Sequence, residues 1–288
     1  MKLAFSTFGA LAEKVHFESI KNAGINTVEI SNGQKKYADM IDFPAIKGFA
    51  DELDITLWSY HLPFCNPGEE VDISNPVVAD SVVEYFYTMM DKASAVGIKT
   101  FVVHPSSEPI SDGDRPARIE QAKKSLYKLA EYAKAKGCVI AVEELPRTCL
   151  CNRSDELLDI ISAHPDLRVC FDTNHLLGED IGEFIRKVGN YIITTHVSDY
   201  DFVNERHWLP GEGQIDWLRL KNDLESVGYD GYFLYELGVG AGSDWCIDRE
   251  RPIAHTDISR TYNEIMSGKA PTPLGKAKPN LPMWRPKN

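Results

Sequence analysis

The chain is short of positive charge. It carries 31 Lys and Arg against 43 Asp and Glu, a formal net charge of -12 over 288 residues. That balance weighs against a phosphate backbone as the main partner, because nucleic-acid binders gather Lys and Arg to displace counterions. Long apolar stretches are missing too, so nothing reads as a membrane span. The start, Met1-Lys-Leu-Ala-Phe5, reads as a strand and lacks the apolar core of a signal peptide. The six cysteines (65, 138, 149, 151, 170, 246) form no C-x-x-C pair. Cys138 and Cys170 fall inside expected strands as small core residues, and Cys149-x-Cys151 reads as structural. A reducing cytoplasm is the simplest setting. No G-x-G-x-x-G follows the first strand, which removes the usual support for a dinucleotide fold.

What is present is a repeated unit. A helical segment ends near a glycine, a short apolar run follows, and the run ends on a polar residue. Gly24 leads to Thr27-Val-Glu-Ile30, Gly97 to Thr100-Phe-Val-Val-His104 and Gly137 to Val139-Ile-Ala-Val-Glu143. Gly189 leads to Ile192-Ile-Thr-Thr-His196 and Gly228 to Tyr232-Phe-Leu-Tyr-Glu236. Glycine supplies the left-handed residue that stops a helix. Between the runs, Ile119, Ala122, Leu126, Leu129 and Ala133 keep helical spacing, as do Val78, Val82, Tyr85 and Met89. Ser154 stands where an N-cap would start another helix.

Strands are expected near 2–6, 27–31, 55–60, 100–104, 138–143, 168–172, 191–196 and 232–236, each followed by a helix. That is the arithmetic of a single (β/α)8 TIM barrel, an α/β fold. We place the barrel at residues 1–268. Residues 269–288 hold five Pro and five basic residues with no acid, and form an extended Pro-rich tail with Trp284 as its anchor. In a barrel all the strand ends converge on one mouth. His61, His104, Glu143, Asp172, His196 and Glu236 then become neighbours there, and a carboxylate-and-imidazole set of this kind suits a divalent metal. The aromatics Phe5, Phe8, Trp58, Tyr60, Phe64 and Trp208 fall on strand or loop positions facing the mouth, where they either form an apolar wall for a substrate or pack the loops.

The order Glu143…Asp172-x-x-His175…His196…Glu236, with Glu205-Arg-His-x-x-Pro-Gly-Glu-Gly213 between the last two, resembles the xylose isomerase-like TIM barrels. This superfamily includes sugar phosphate isomerases and epimerases and endonuclease IV. The resemblance implies one divalent metal on Glu143, Asp172, His196 and Glu236. Mn2+ fits the hard donor set first, with Mg2+, Co2+ or Zn2+ as alternatives. Glu143 is preferred to Glu144 because Glu143-x-x-x-Arg147 matches the spacing of ketose 3-epimerases. The resemblance also implies that Glu143 and Glu236 act as base and acid through a metal-stabilised enediolate of a ketose or sugar phosphate. His175 and Arg206 would be polar helpers beside the substrate oxygens. His61, His104, His207, Trp58, Phe64 and Trp208 are the expected substrate contacts. The partner is then a small sugar, with no nucleic acid and no membrane, and self-association into a homo-oligomer is compatible with it.

Three other readings share the scaffold. One is a lyase, such as a sugar or cyclitol dehydratase or a C-glycoside-cleaving enzyme. Another is an endonuclease IV-like multi-zinc phosphodiesterase, for which His61, His104, His175, His207 and Glu205 would be further ligands. The last is a sugar-binding protein without catalysis.

Overall fold

The computed structural model describes residues 1–7, 12–64, 71–240, 246–279 and 281. Eight parallel strands form one sheet: β1 (Lys2–Ser6), β2 (Thr27–Ser31), β3 (Thr56–His61), β4 (Thr100–Val103), β5 (Val139–Glu143), β6 (Arg168–Asp172), β7 (Ile192–His196) and β8 (Tyr232–Tyr235). Their order is β7-β6-β5-β4-β3-β2-β1-β8. The ring closes through Val197, which bridges in parallel to Tyr235 and donates its N–H to Leu234 at 2.8 Å. This is a (β/α)8 barrel in a single domain, as the strand count implied.

The helices are α1 (Lys14–Asn22), α2 (Lys35–Ala38), α3 (Phe43–Glu52), α4 (Ala79–Ala95), α5 (Arg115–Ala135), α6 (Ser154–Ile161), α7 (Ile181–Val188), α8 (Trp217–Ser226) and α9 (His255–Met266). Each buries one stripe against the outer face of the strands. In α5 that stripe is Ala122, Leu126, Leu129 and Ala133. The main core lies in this shell between strands and helices and includes Phe17, Phe86, Phe171 and Phe233. Each such ring contributes roughly 1.5–3 kcal/mol by burial. Inside the ring sits a smaller apolar group, Val102, Ala141 and Cys170, with Ile193 against it.

Four of the five expected stop glycines do adopt positive φ: Gly24 (79°), Gly97 (95°), Gly137 (63°) and Gly228 (77°). Gly189 differs, with φ -51°. Its small size serves packing instead, since a Cβ there would meet Val227 at 2.6 Å. Ser154 is not an N-cap either. It is the first residue of α6, and its N–H and hydroxyl both donate to Glu179, at 2.8 and 2.6 Å. A carboxylate from the neighbouring loop thus satisfies the helix start.

Beyond β8 the chain forms β9 (Ile247–Arg249), which pairs antiparallel with β10 (Gly275–Ala277). The segment carrying β10 passes so close to Gly211 that a Cβ there would meet the Pro271 carbonyl at 2.5 Å. Leu281 packs on Trp208, Cys246 and Ile247. Trp284, the expected anchor, and Phe8 lie outside the described residues.

Candidate active site

Glu143 ends β5, Asp172 ends β6, His196 ends β7, and Glu236 follows β8 by one residue. All four are buried, and one ligand atom from each lies within 4.8 Å of the others. Parallel strands make this inevitable. Each side chain on the inner face at a strand end is delivered to the same rim. Glu143 is the hub. Its Oε1 lies 2.9 Å from His196 Nδ1, and its Oε2 lies 3.0 Å from His61 Nε2 and 3.1 Å from His104 Nε2. Glu236 Oε2 is 3.6 Å from His196 Nδ1. Asp172 Oδ2 is buried and has no hydrogen-bond partner. Glu144, the neighbour passed over, instead accepts the Asp172 N–H at 2.7 Å.

A second group adjoins the first. His207 Nε2 lies 3.1 Å from Glu205 Oε1, and His175 Nε2 lies 3.9 Å from the same oxygen. These three also offer ligand atoms within 4.8 Å of one another. The backbone keeps His175 aimed inward, since its Nδ1 lies 2.7 Å from the Glu144 carbonyl. His207 is held by the Glu236 carbonyl, 3.1 Å from Nδ1.

Titration follows the crowding. Burial alone would lift the Glu143 carboxyl, but the His196 and His104 imidazoles outweigh it and hold it well below the usual range. Burial drives Asp172 up to about 7, against the pull of His175 and with Glu236 adding to it. Burial disfavours an imidazolium at His207, yet Glu205 and Glu236 lift it to about 9. Burial disfavours an imidazolium at His196 as well, yet Cys170, Glu236, Glu29 and Glu143 push it well above its ordinary value.

Three carboxylates and one imidazole converge on one point, and among the described residues one buried carboxylate oxygen, Asp172 Oδ2, accepts no hydrogen bond, with His175 Nε2 3.7 Å away. The residues therefore fit a divalent ion, whose charge would satisfy what the protein leaves unsatisfied.

Beside the cluster opens a cavity of about 320 Å³ lined by Phe64, His104, Ser106, Glu108, Arg147, His175 and Glu205 among others. Its volume lies in the range of small-molecule sites. The Phe64 ring lies 4.6 Å from both the His61 and His104 rings. Arg147 donates to Glu108 at 2.7 Å and to Glu205 at 2.8 Å.

The structure thus brings Glu143, Asp172, His175, His196, Glu236, His61, His104, His207 and Phe64 together. Five expected residues go elsewhere. Trp58 sits deeper in the bore, donating to Thr194 Oγ1 at 3.2 Å with its ring 4.7 Å from Tyr232, because it comes three residues before the rim. Arg206 is buried and donates to Asp201 at 2.9 Å, with its guanidinium 5.7 Å over the Trp208 ring. Trp208 itself is buried beneath Cys246 and Leu281. Phe5 and Tyr60 face the helical shell, against His255 and Phe43, because strand residues alternate between faces.

Glu29 is the residue the sequence reading passed over. It lies in the middle of β2 and is fully buried. It accepts from Ser6 and Ser59, and its Oε1 is 3.0 Å from His196 Nε2. The available signal was a carboxylate at an inward position between the apolar Val28 and Ile30. Asn174 was also missed. Its side chain accepts from one loop and donates to Ser198.

Comparisons with known proteins agree with this fold. The D-psicose 3-epimerase of Ruminiclostridium cellulolyticum is 26% identical over 242 residues, covering 80% of this chain and 79% of that protein. The inosose dehydratase of Clostridium perfringens is 27% identical over 183 residues, covering 52% and 61%. A solved D-tagatose 3-epimerase-like protein superposes with a TM-score of 0.72 at 23% identity, covering 82% of this chain and 90% of that one. Residues 17–256 match the family described as xylose isomerase-like TIM barrel, and the chain belongs to that family.

Proposed function

We propose that this protein is a divalent-metal-dependent epimerase or isomerase of keto-sugars. The observation that carries the reading is the set Glu143, Asp172, His196 and Glu236, with the Asp172 Oδ2 atom buried and, among the described residues, without a hydrogen bond. These four would hold the ion, Mn2+ first and Mg2+, Co2+ or Zn2+ as alternatives. When bound, the ion supplies Lewis-acid polarisation of the substrate carbonyl. Glu143 and Glu236 stand on strands three places apart around the ring, so their carboxylates border the substrate from different sides. One takes the proton beside the carbonyl and the other returns one. Return from the opposite side inverts the carbon. Return to the adjacent carbon isomerises the sugar. His175, aimed by the Glu144 carbonyl, contacts a substrate oxygen, and the cavity beyond Phe64 and His104 receives the rest of the sugar.

The partner in this reading is a small sugar, not nucleic acid, and the setting is the cytoplasm. Residues 1–268 form the catalytic domain, and 269–288 are a tail laid over it. Light scattering tests the accompanying expectation of a homo-oligomer.

The test is metal analysis of purified protein, followed by NMR of ketoses incubated with it. Wild type should carry a divalent ion and produce an epimer or isomer. Asp172→Ala should lose most of the metal, and unchanged occupancy would sink the assignment. The relationship to an inosose dehydratase supports a second reading, a lyase on the same residues. Release of water from a keto-sugar, with no epimer formed, would select it. A count near three ions per chain would instead favour the multi-zinc phosphodiesterase, through the His175, Glu205 and His207 group.

A further inference from the structure

We infer that Glu29 is a positioning residue that selects which nitrogen of His196 is offered to the metal. The inference rests on the metal-dependent reading above. Glu29 stands on β2, and His196 ends β7 across the ring. Both residues are fully buried, so their polar atoms must find partners inside the protein.

The Glu29 carboxylate is held from three strands. Its Oε1 accepts the Ser6 hydroxyl at 3.0 Å, its Oε2 accepts the Ser59 hydroxyl at 2.7 Å, and Oε1 lies 3.0 Å from His196 Nε2. A carboxylate so placed is an acceptor, so the imidazole nitrogen facing it carries the hydrogen. Both nitrogens face carboxylates, so an ion entering the cluster would displace the Nδ1 proton and find the lone pair there, while Glu29 keeps the hydrogen on Nε2. Nδ1 is the atom that faces the cluster, 2.9 Å from Glu143 Oε1 and 3.6 Å from Glu236 Oε2. The ring cannot easily turn, because it lies stacked on His61 with centroids 5.5 Å apart and planes 17° off parallel. Glu29 therefore fixes tautomer, orientation and basicity together. Carboxylates behind a metal-bound histidine act in this way, and losing one typically weakens metal binding about 10–100-fold. Ser6 and Ser59 are the next layer, since they keep the carboxylate in place.

The test compares wild type, Glu29→Gln and Ser59→Ala as full-length proteins stripped of metal. Mn2+ affinity is read by electron paramagnetic resonance. With Zn2+ bound, nitrogen-15 NMR of labelled histidines reports which His196 nitrogen is ligated. We expect Nδ1 ligated and Nε2 protonated in wild type, Mn2+ binding about 10–100-fold weaker in Glu29→Gln, and a smaller loss in Ser59→Ala. A melting temperature of the metal-free variant close to wild type separates this role from a merely structural one. Unchanged Mn2+ affinity in folded Glu29→Gln overturns the inference, as does ligation of wild-type His196 through Nε2. If Glu29→Gln does not fold, the wild-type nitrogen assignment and Ser59→Ala decide the question. A wild type that binds neither ion refutes the metal-dependent reading itself, a result distinct from failure of the Glu29 role alone.

Discussion

The Asn174 side-chain oxygen accepts the backbone N–H of His207 at 2.9 Å, and that of Arg206 at 2.8 Å. The amide nitrogen of Asn174 donates to the Ser198 carbonyl at 2.8 Å. A residue of the loop after β6 thus pins the loop after β7 at the point where it turns with positive φ at His207 (52°). Asn174→Ala removes the acceptor of one buried and one partly buried N–H, a cost of up to about 1–3 kcal/mol for each group. We expect a lower melting temperature and an activity loss of about tenfold or more, with metal still bound at Glu143, Asp172, His196 and Glu236. Metal loss equal to that of Asp172→Ala would contradict this separation.

Glu143→Gln and Glu236→Gln test the acid–base pair. Glutamine keeps a ligating oxygen and similar volume but cannot take a proton. General acid–base groups contribute about 100- to 10,000-fold in rate, so both variants, loaded with metal, should fall by that order. In a two-base epimerase one of them should still exchange solvent deuterium into the substrate without inverting the carbon. Normal turnover by both would reduce the two carboxylates to ligands.

Removal of the segment after Gly268 should lower the melting temperature. It deletes β10, the partner of β9, and uncovers Trp208 where Leu281 packs. Gly211→Ala offers an independent check, since its Cβ would strike the Pro271 carbonyl at 2.5 Å. That substitution should destabilise the whole chain more than the truncated one, although φ of 98° at Gly211 leaves some strain in both. Equal effects would show that the tail does not rest on this loop.

His255 should shape stability in mild acid. Its imidazole lies beside Phe5 and 2.8 Å from the Ser19 hydroxyl, and burial lowers it from 6.5 to about 4. A group lowered on folding contributes stability that is fully present above the unfolded value. The unfolded chain takes up the proton first, so that contribution declines from about pH 6.5 and is gone below about pH 4. The whole effect is on the order of 2–3 kcal/mol. Denaturant midpoints of wild type should fall across this window, and those of His255→Gln should fall less.

The barrel and its rim were legible because parallel strands advertise themselves twice. Their apolar runs mark the strands, and the polar residue ending each run marks the mouth. Glu143, Asp172, His196 and Glu236 could be named on that basis, and His61, His104 and His175 with them. Depth was harder to read. Trp58 and His61 lie on the same strand, yet only His61 reaches the rim. Glu29 was hidden for the opposite reason, since an acid within a strand gives no hint that a histidine 167 positions later faces it. Arg206 and Trp208 follow His196 in an irregular loop, and no periodicity says that such a loop will fold back on its own Asp201.

The indole of Trp58 also crosses the inside of the ring. It reaches from β3 to Thr194 on β7, strands four places apart in an eight-stranded ring and so on opposite walls. Thr194 stands two residues below His196, so the indole lies immediately beneath the reacting groups. Below the cluster the indole spans the bore from wall to wall, and above it the cluster faces the mouth. On the function proposed above, a sugar arriving and a sugar departing would share that mouth, which would make each the competitor of the other.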